Sequence, residues 1–134
     1  MAPCQVLCAY DASFAAGLLD AMAQVVHDQV PVLLIAYDSE YPEPLFSKRP
    51  VPDCAGVALL LSPERTAHSL AGLQLQATRQ LADTMSDVAL EGLRTQVPAM
   101  RALPLLQSLA CRQTASVCLD YLAPMQLLLE LSAC

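Results

Sequence analysis

The run Cys8-Ala-Tyr-Asp-Ala-Ser-Phe-Ala-Ala-Gly-Leu-Leu-Asp-Ala-Met-Ala-Gln-Val-Val26, followed by Val30-Pro-Val-Leu-Leu-Ile-Ala-Tyr-Asp38, decides how this chain folds. Phe14, Ala15, Leu18, Leu19, Met22, Val25 and Val26 recur at helical spacing and predict a helix with a broad apolar face. A short side-chain oxygen, from Asp11 or Ser13, is expected to cap its first turn by accepting unpaired backbone amides. Gly17 lies inside the helix, where glycine costs roughly 1 kcal/mol relative to alanine. That cost is tolerated where another backbone comes close, so the helix is expected to lie against a dense neighbour. The next segment shows no alternation: Val32, Leu33, Leu34, Ile35 and Ala36 are apolar in succession. Such a run predicts a strand covered on both faces, as in the middle of an α/β sheet.

Outward from this unit, Gln5–Ala9 is expected to be a short strand that completes a β-α-β arrangement. Residues 39–52 contain Pro42, Pro44, Pro50 and Pro52 and are expected to form an extended surface loop, because proline removes amide donors. Gly56–Leu61 is a second solidly apolar run and a second inner strand. Across Leu70–Thr78, Leu73, Leu75 and Ala77 alternate with Gln74, Gln76 and Thr78, which predicts a strand with one wet face, antiparallel to the one before it. A helix through the same residues competes with that reading. Residues 80–97 are polar and weakly helical, and are expected to be the most mobile part. Pro98–Ala110 predicts a helix with Pro98 in its first turn and a kink or fresh start at Pro104. Ala115–Tyr121 and Met125–Leu131, around Ala123-Pro124, predict a closing hairpin.

The 134 residues suffice for one domain. Apolar residues make up 55% and charged residues only 15%, so the chain has difficulty covering its own apolar surface. That favours a partner subunit or a missing part of the same protein. No apolar run reaches the ~18 residues needed to span a bilayer, and no basic region precedes an apolar core at the amino terminus, so neither a membrane span nor a secretory signal is expected. Thirteen acidic against seven basic residues give a net charge of −6, and the scattered basic residues offer no footprint for nucleic acid. The six cysteines are read as buried, reduced thiols of a cytoplasmic protein. The spacings Cys4-x3-Cys8 and Cys111-x6-Cys118 match no zinc pattern, so no metal or other cofactor is expected.

Several segments resemble the chain length factors, β-ketoacyl-synthase-like proteins found beside ketosynthases in aryl-polyene and related polyketide clusters. The resemblance is carried by Asp11–Ala21, Pro31–Asp38, Tyr41-Pro-Glu-Pro-Leu45, Arg49-Pro50 and Val57–Leu61, and more thinly by Ala102–Leu109 and the terminal hairpin. It implies an α/β, partial thiolase-like layered fold with a mixed sheet and a buried helix. In that fold the helix begins at the turn where active condensing enzymes keep their nucleophilic cysteine, here around Cys8–Asp11. The family's amino-terminal half is expected to be lacking, so residues 1–134 would be the later portion of the family's domain. Neither His27 nor His68 stands in a His-Gly-Thr-Gly setting. The resemblance therefore implies a non-catalytic subunit that pairs with an active ketosynthase and meets an acyl carrier protein indirectly.

Cys8 is the one candidate nucleophile: a thiol just before a helix amino terminus is activated by the helix dipole. Its competing reading is a buried structural cysteine. Condensation also requires donors for the thioester oxyanion and the departing carboxylate, and no histidine pair is placed to supply them. His27 suits the negative end of the helix, and His68 is expected to be solvated. Asp11 reads as a cap before a general base. Asp38 sits where α/β folds place ligands, although a turn-forming aspartate is the commoner explanation. Tyr10, Phe14, Tyr37, Tyr41 and Phe46 are candidates for an interface or an acyl channel, and a loop packed on its own domain is the alternative. Three functions follow: a chain length factor, a small acyl-transfer enzyme using Cys8, or an unrelated α/β binding module.

Overall fold

The apolar helical stripe becomes α1, Ser13–Asp28, which a 3-10 turn at Tyr10–Ala12 precedes in the computed structural model; residues 4–134 are described. Phe14, Ala15, Leu18 and Val25 are buried, as the spacing predicts, and Ala16 and Ala21 join them; Leu19 and Met22 are half-buried, and Val26 is exposed because the last turn outruns the core. The start of α1 departs from expectation. Ala12 is the N-cap and no side chain caps it. Ser13 Oγ instead accepts the Ala9 N–H at 3.0 Å and donates to the Tyr10 carbonyl at 2.7 Å, which ties down the preceding turn. Asp11 is drawn away to Arg49. The helix ends at Gln29, which adopts the left-handed conformation with φ 56°.

Residues 5–9 join no ladder, so the expected first strand is absent and with it the β-α-β unit. The next strands do form, as β1 (Val32–Asp38) and β2 (Ala55–Leu61), paired antiparallel from Val32↔Leu61 to Asp38↔Ala55. Their burial corrects the sequence reading: it alternates strictly along both strands. Leu34, Ala36, Val57, Leu59 and Leu61 pack on the core. Leu33, Ile35, Tyr37 and Leu60 point the other way and are 59%, 59%, 78% and 70% exposed. A two-stranded sheet with α1 on one side has nothing from the described residues on its other side. At Gly17 the close neighbour is a side chain rather than backbone: a Cβ there would lie 3.1 Å from Leu34 Cδ1.

The chain then crosses to a second sheet. β3 (Ala71–Thr78) is a strand, as the alternation predicts, with Leu73 and Leu75 inward and Gln74 and Gln76 in water. It pairs with β5 (Gln126–Ala133) and not with β2. The expected closing hairpin is β4 (Ala115–Leu119) against β5, giving the order β3-β5-β4. Every pairing among the described residues is antiparallel, so two small antiparallel sheets stand in place of one mixed sheet. One apolar cluster joins Phe14 and Leu18 of α1, Leu105 of the later helix, and Val117, Leu119, Leu129 and Leu131 of the second sheet. The inward residues of β1, β2 and β3 pack against that cluster.

The proline-rich segment is not extended throughout. It contains one helical turn, α2 (Leu45–Lys48), and Val51, between Pro50 and Pro52, is fully buried against Val97, Ala99 and Met100. Residues 80–97 are also more ordered than their polarity predicts. They hold α3 (Val88–Gln96), capped by Asp87 Oδ1, which accepts from the N–H groups of Ala89 and Leu90 at 2.9 Å each. A 3-10 segment at Pro98–Ala102 leads into α4 (Leu103–Cys111), with the fresh start near Pro104 that the sequence predicts. The cysteines are all free, but only Cys118 is buried, and the other five are exposed, against expectation. They fall on loops, termini and a helix end rather than on inward positions. Among the described residues, no helix is long and apolar enough to cross a membrane.

Candidate functional site

The turn at the head of α1 holds the residue under most backbone strain near the predicted site. Tyr10 has φ 56°, a left-handed conformation that costs a non-glycine residue roughly 1–2 kcal/mol. Arg49 holds it there. Its guanidinium stacks 3.3 Å from the Tyr10 ring centroid and ion-pairs with Asp11. One arginine from the proline-rich segment thus grips two consecutive residues of the turn. A cation over an aromatic face contributes about 0.5–1 kcal/mol at an exposed site, so ring and ion pair together offset most of the strain. The Arg49-Pro50 dipeptide is visible in the sequence, but its partner 38 positions away is not.

Cys8 is exposed and lies ahead of the 3-10 turn, outside α1. The dipole of a helix acts within its first turn, and the 3-10 turn separates Cys8 from that position. His27 lies in the last turn of α1, 3.9 Å from Asp28, some 20 Å along the helix axis from the Tyr10 turn at 1.5 Å per residue. His68 is exposed on the connector between β2 and β3, where its N–H donates to Thr66 Oγ1 at 3.2 Å. It borders an open depression of about 250 Å³ with Ser69, Arg112 and Cys134. The described residues therefore do not bring a cysteine together with two histidines.

The aromatic candidates fall in three places. Tyr10 is on the α1 turn and Phe14 is enclosed in the core beneath it. Tyr37 stands on the open side of β1. Tyr41 and Phe46 line an open depression of about 440 Å³ with Glu40, Pro42 and Glu43. Asp38 Oδ2 accepts the Ala99 N–H at 2.6 Å and so ties the end of β1 to the segment Pro98–Ala102. No group of three or more His, Cys, Asp or Glu that could hold a metal occurs among the described residues.

A charged cluster that the sequence reading missed fastens α3 to the second sheet. Arg94 is 6% exposed and donates to both oxygens of Glu91, from Nε at 2.7 Å and Nη2 at 2.6 Å. Its Nη1 pairs with Asp120, which also accepts from Arg101 Nη1 at 2.6 Å. The Met85 N–H donates to Glu91 Oε2 at 2.8 Å. The Arg94 hydrogen bonds, then that amide, hold the Glu91 carboxyl down at about 2, against an ordinary value of 4.5. The same pairing with Glu91 raises Arg94. The i,i+3 spacing of Glu91 and Arg94 was the available signal; Asp120 enters only through the fold. Nearby, burial pushes the Cys118 thiol up, while its backbone N–H donates to Asp83 Oδ2 at 2.8 Å. That thiol is a packing group.

Comparison with known proteins gives one family. The family described as beta-ketoacyl synthase, N-terminal domain, matches residues 1–120. No curated protein and no solved structure matches the chain.

Proposed function

The chain belongs to the beta-ketoacyl synthase N-terminal domain family, and from that premise we propose that it is a non-catalytic homologue acting as a chain length factor. Its partner is an active ketosynthase, which contributes the nucleophilic cysteine and the histidines. This subunit adds apolar walls and interface area in a thiolase-like assembly, and the acyl carrier protein is met through the ketosynthase. The observation that carries the reading is the head of α1. There Tyr10, clamped by Arg49, occupies the turn, Cys8 lies outside the helix, and His27 is at the far end. A condensing site needs a nucleophile and its oxyanion donors within hydrogen-bonding reach of one substrate carbonyl.

The test is co-expression with a ketosynthase encoded beside it, followed by purification and analysis of the acyl products. A stable complex is expected, with Cys8→Ser leaving synthesis unchanged and Phe46→Ala shifting product length. Separate monomers, or synthesis abolished by Cys8→Ser, would overturn the reading. The exposure of Cys8 favours a second reading, an acyl-transfer enzyme that uses this thiol. Incubation with an acyl thioester and mass spectrometry separates the two: an acyl group retained on Cys8 supports transfer, and an unmodified Cys8 supports the non-catalytic role.

A further inference from the structure

The outer face of the β1–β2 sheet carries the molecule's clearest unmet requirement. Leu33, Ile35, Tyr37, Ala58 and Leu60 stand on it in adjacent rows, paired Leu33↔Leu60 and Ile35↔Ala58, with Gly56 beside Tyr37. No charged residue interrupts them. We propose that this face docks a single amphipathic helix of a partner chain, apolar along one stripe and basic along its flanks. The inference rests on the pairing proposed above and names the surface and the chemistry of the element that meets it.

Size selects one helix. Two strands spaced about 4.8 Å make a face roughly 10 Å wide, which one helix of 10–12 Å diameter covers. The seven paired residues run about 20 Å, equal to roughly four helical turns or about 14 residues. The face is too small for a self-sufficient dimer: about 200 Å² of sheet falls well short of the ~800 Å² per partner that stable interfaces bury. A sheet with helices on one side only is also completed by a helical layer on the other.

Charge selects the flanks. At the Val32↔Leu61 end the exposed Glu64 follows the strand within three residues, and at the Asp38↔Ala55 end the exposed Glu40 and Asp53 each lie two residues from it. Arg65, beside Glu64, turns to the second sheet, where it donates to the Ala133 carbonyl at 2.6 Å; Arg49 is held by Asp11, and Lys48 stands on α2. Two copies would set these carboxylates against each other, whereas lysine or arginine at the helix ends would meet them.

The probe is a synthetic 15-residue peptide with leucines at helical spacing and lysines beside them, compared with an isomer that carries glutamates in place of the lysines. By fluorescence anisotropy at low salt, the lysine peptide is expected to bind at least about tenfold more tightly than the glutamate peptide. Ile35→Lys and Leu60→Lys are each expected to weaken binding at least about tenfold, and Val26→Lys, on the exposed end of α1, to leave it unchanged. Both sheet positions are exposed, so circular dichroism should stay native. Equal binding of the two peptides, or native binding by both sheet variants, would overturn the proposal. So would a dimer that Ile35→Lys dissociates, which would give the face to a second copy. If peptide mapping after maleimide treatment of the free monomer finds a Leu60→Cys thiol unlabelled while the native exposed cysteines are labelled, the chain covers the face itself and the proposal is overturned too. A ketosynthase complex that survives both sheet variants overturns the docking face and leaves the pairing standing. Peptide selectivity without any ketosynthase complex does the reverse.

Discussion

The two sheets solve the same problem in opposite ways. Both turn one row of side chains onto the shared core, and both have a second row left to accommodate. On the three-stranded sheet much of that row is polar: Gln74, Gln76, Ser116 and Glu130 meet water, and Ser116 Oγ donates to Glu130 Oε1 at 3.1 Å. Where it turns apolar, at Cys118, the connector folds over it. The Asp83 N–H donates to the Cys118 carbonyl at 2.8 Å, and the thiol reaches the Gln80 carbonyl at 3.7 Å. On β1–β2 the second row is leucine, isoleucine, tyrosine and alanine, and no connector among the described residues folds over it. The three-stranded sheet has an outer face suited to water, and the two-stranded sheet has one suited to protein.

The contrast is broken most directly by truncating one residue of each kind. Leu129 is fully buried at the centre of the three-stranded sheet, and Leu129→Ala should cost about 3–5 kcal/mol in urea unfolding. Ile35→Ala on the outer face should cost under about 0.5 kcal/mol. Similar losses at both positions would mean that the β1–β2 face is not free.

The Glu91–Arg94–Asp120 cluster sharpens the comparison, because it holds the covering layer of the three-stranded sheet in place. Arg94→Ala should destabilise by about 3 kcal/mol, the low end for breaking a buried pair, since both carboxylates keep some contact with water. The expected loss is in unfolding midpoint at neutral pH, and Arg94→Lys should recover only part of it, because a point charge cannot reproduce the two-pronged contact with Glu91.

The same cluster predicts an acid limb. Glu91 ionises at about 2 when folded and near 4.5 when unfolded, so its contribution is complete above 4.5 and disappears as the pH falls towards 2. Unfolding midpoints measured across that window should decline for the native chain, and the Glu91→Gln chain should lack that part of the decline. A small effect, of either sign, is expected at Gly17. Alanine improves helix propensity by about 1 kcal/mol but sets its Cβ 3.1 Å from Leu34 Cδ1, so Gly17→Ala should stay within about 1 kcal/mol of native.

Legibility in the sequence followed locality. The α1 stripe, the wet face of β3, the restart near Pro104 and the closing hairpin each rest on neighbours within a few residues, and each was readable. The conformation of residues 5–9 was not, because strand-like residues make a strand only when another strand lies beside them. Locally, Asp11 has the position of a cap and Asp38 that of a turn former, but their partners, Arg49 and Ala99, are distant in the chain. The strongest feature of the candidate site, the Arg49 clamp on Tyr10, was illegible, because Arg49 and its ion-pair partner Asp11 are 38 positions apart in the chain.

By itself, the sequence determined which segments are helix and strand over most of the chain, and that β1 and β2 are apolar on both sides, because periodicity and residue type act over a few positions. Only the tertiary structure decided that none of the described residues covers one of those sides, that β3 joins β5 rather than β2, and that Arg49 reaches the head of α1. Burial and pairing are properties of what arrives from elsewhere in the chain, and no local pattern records it.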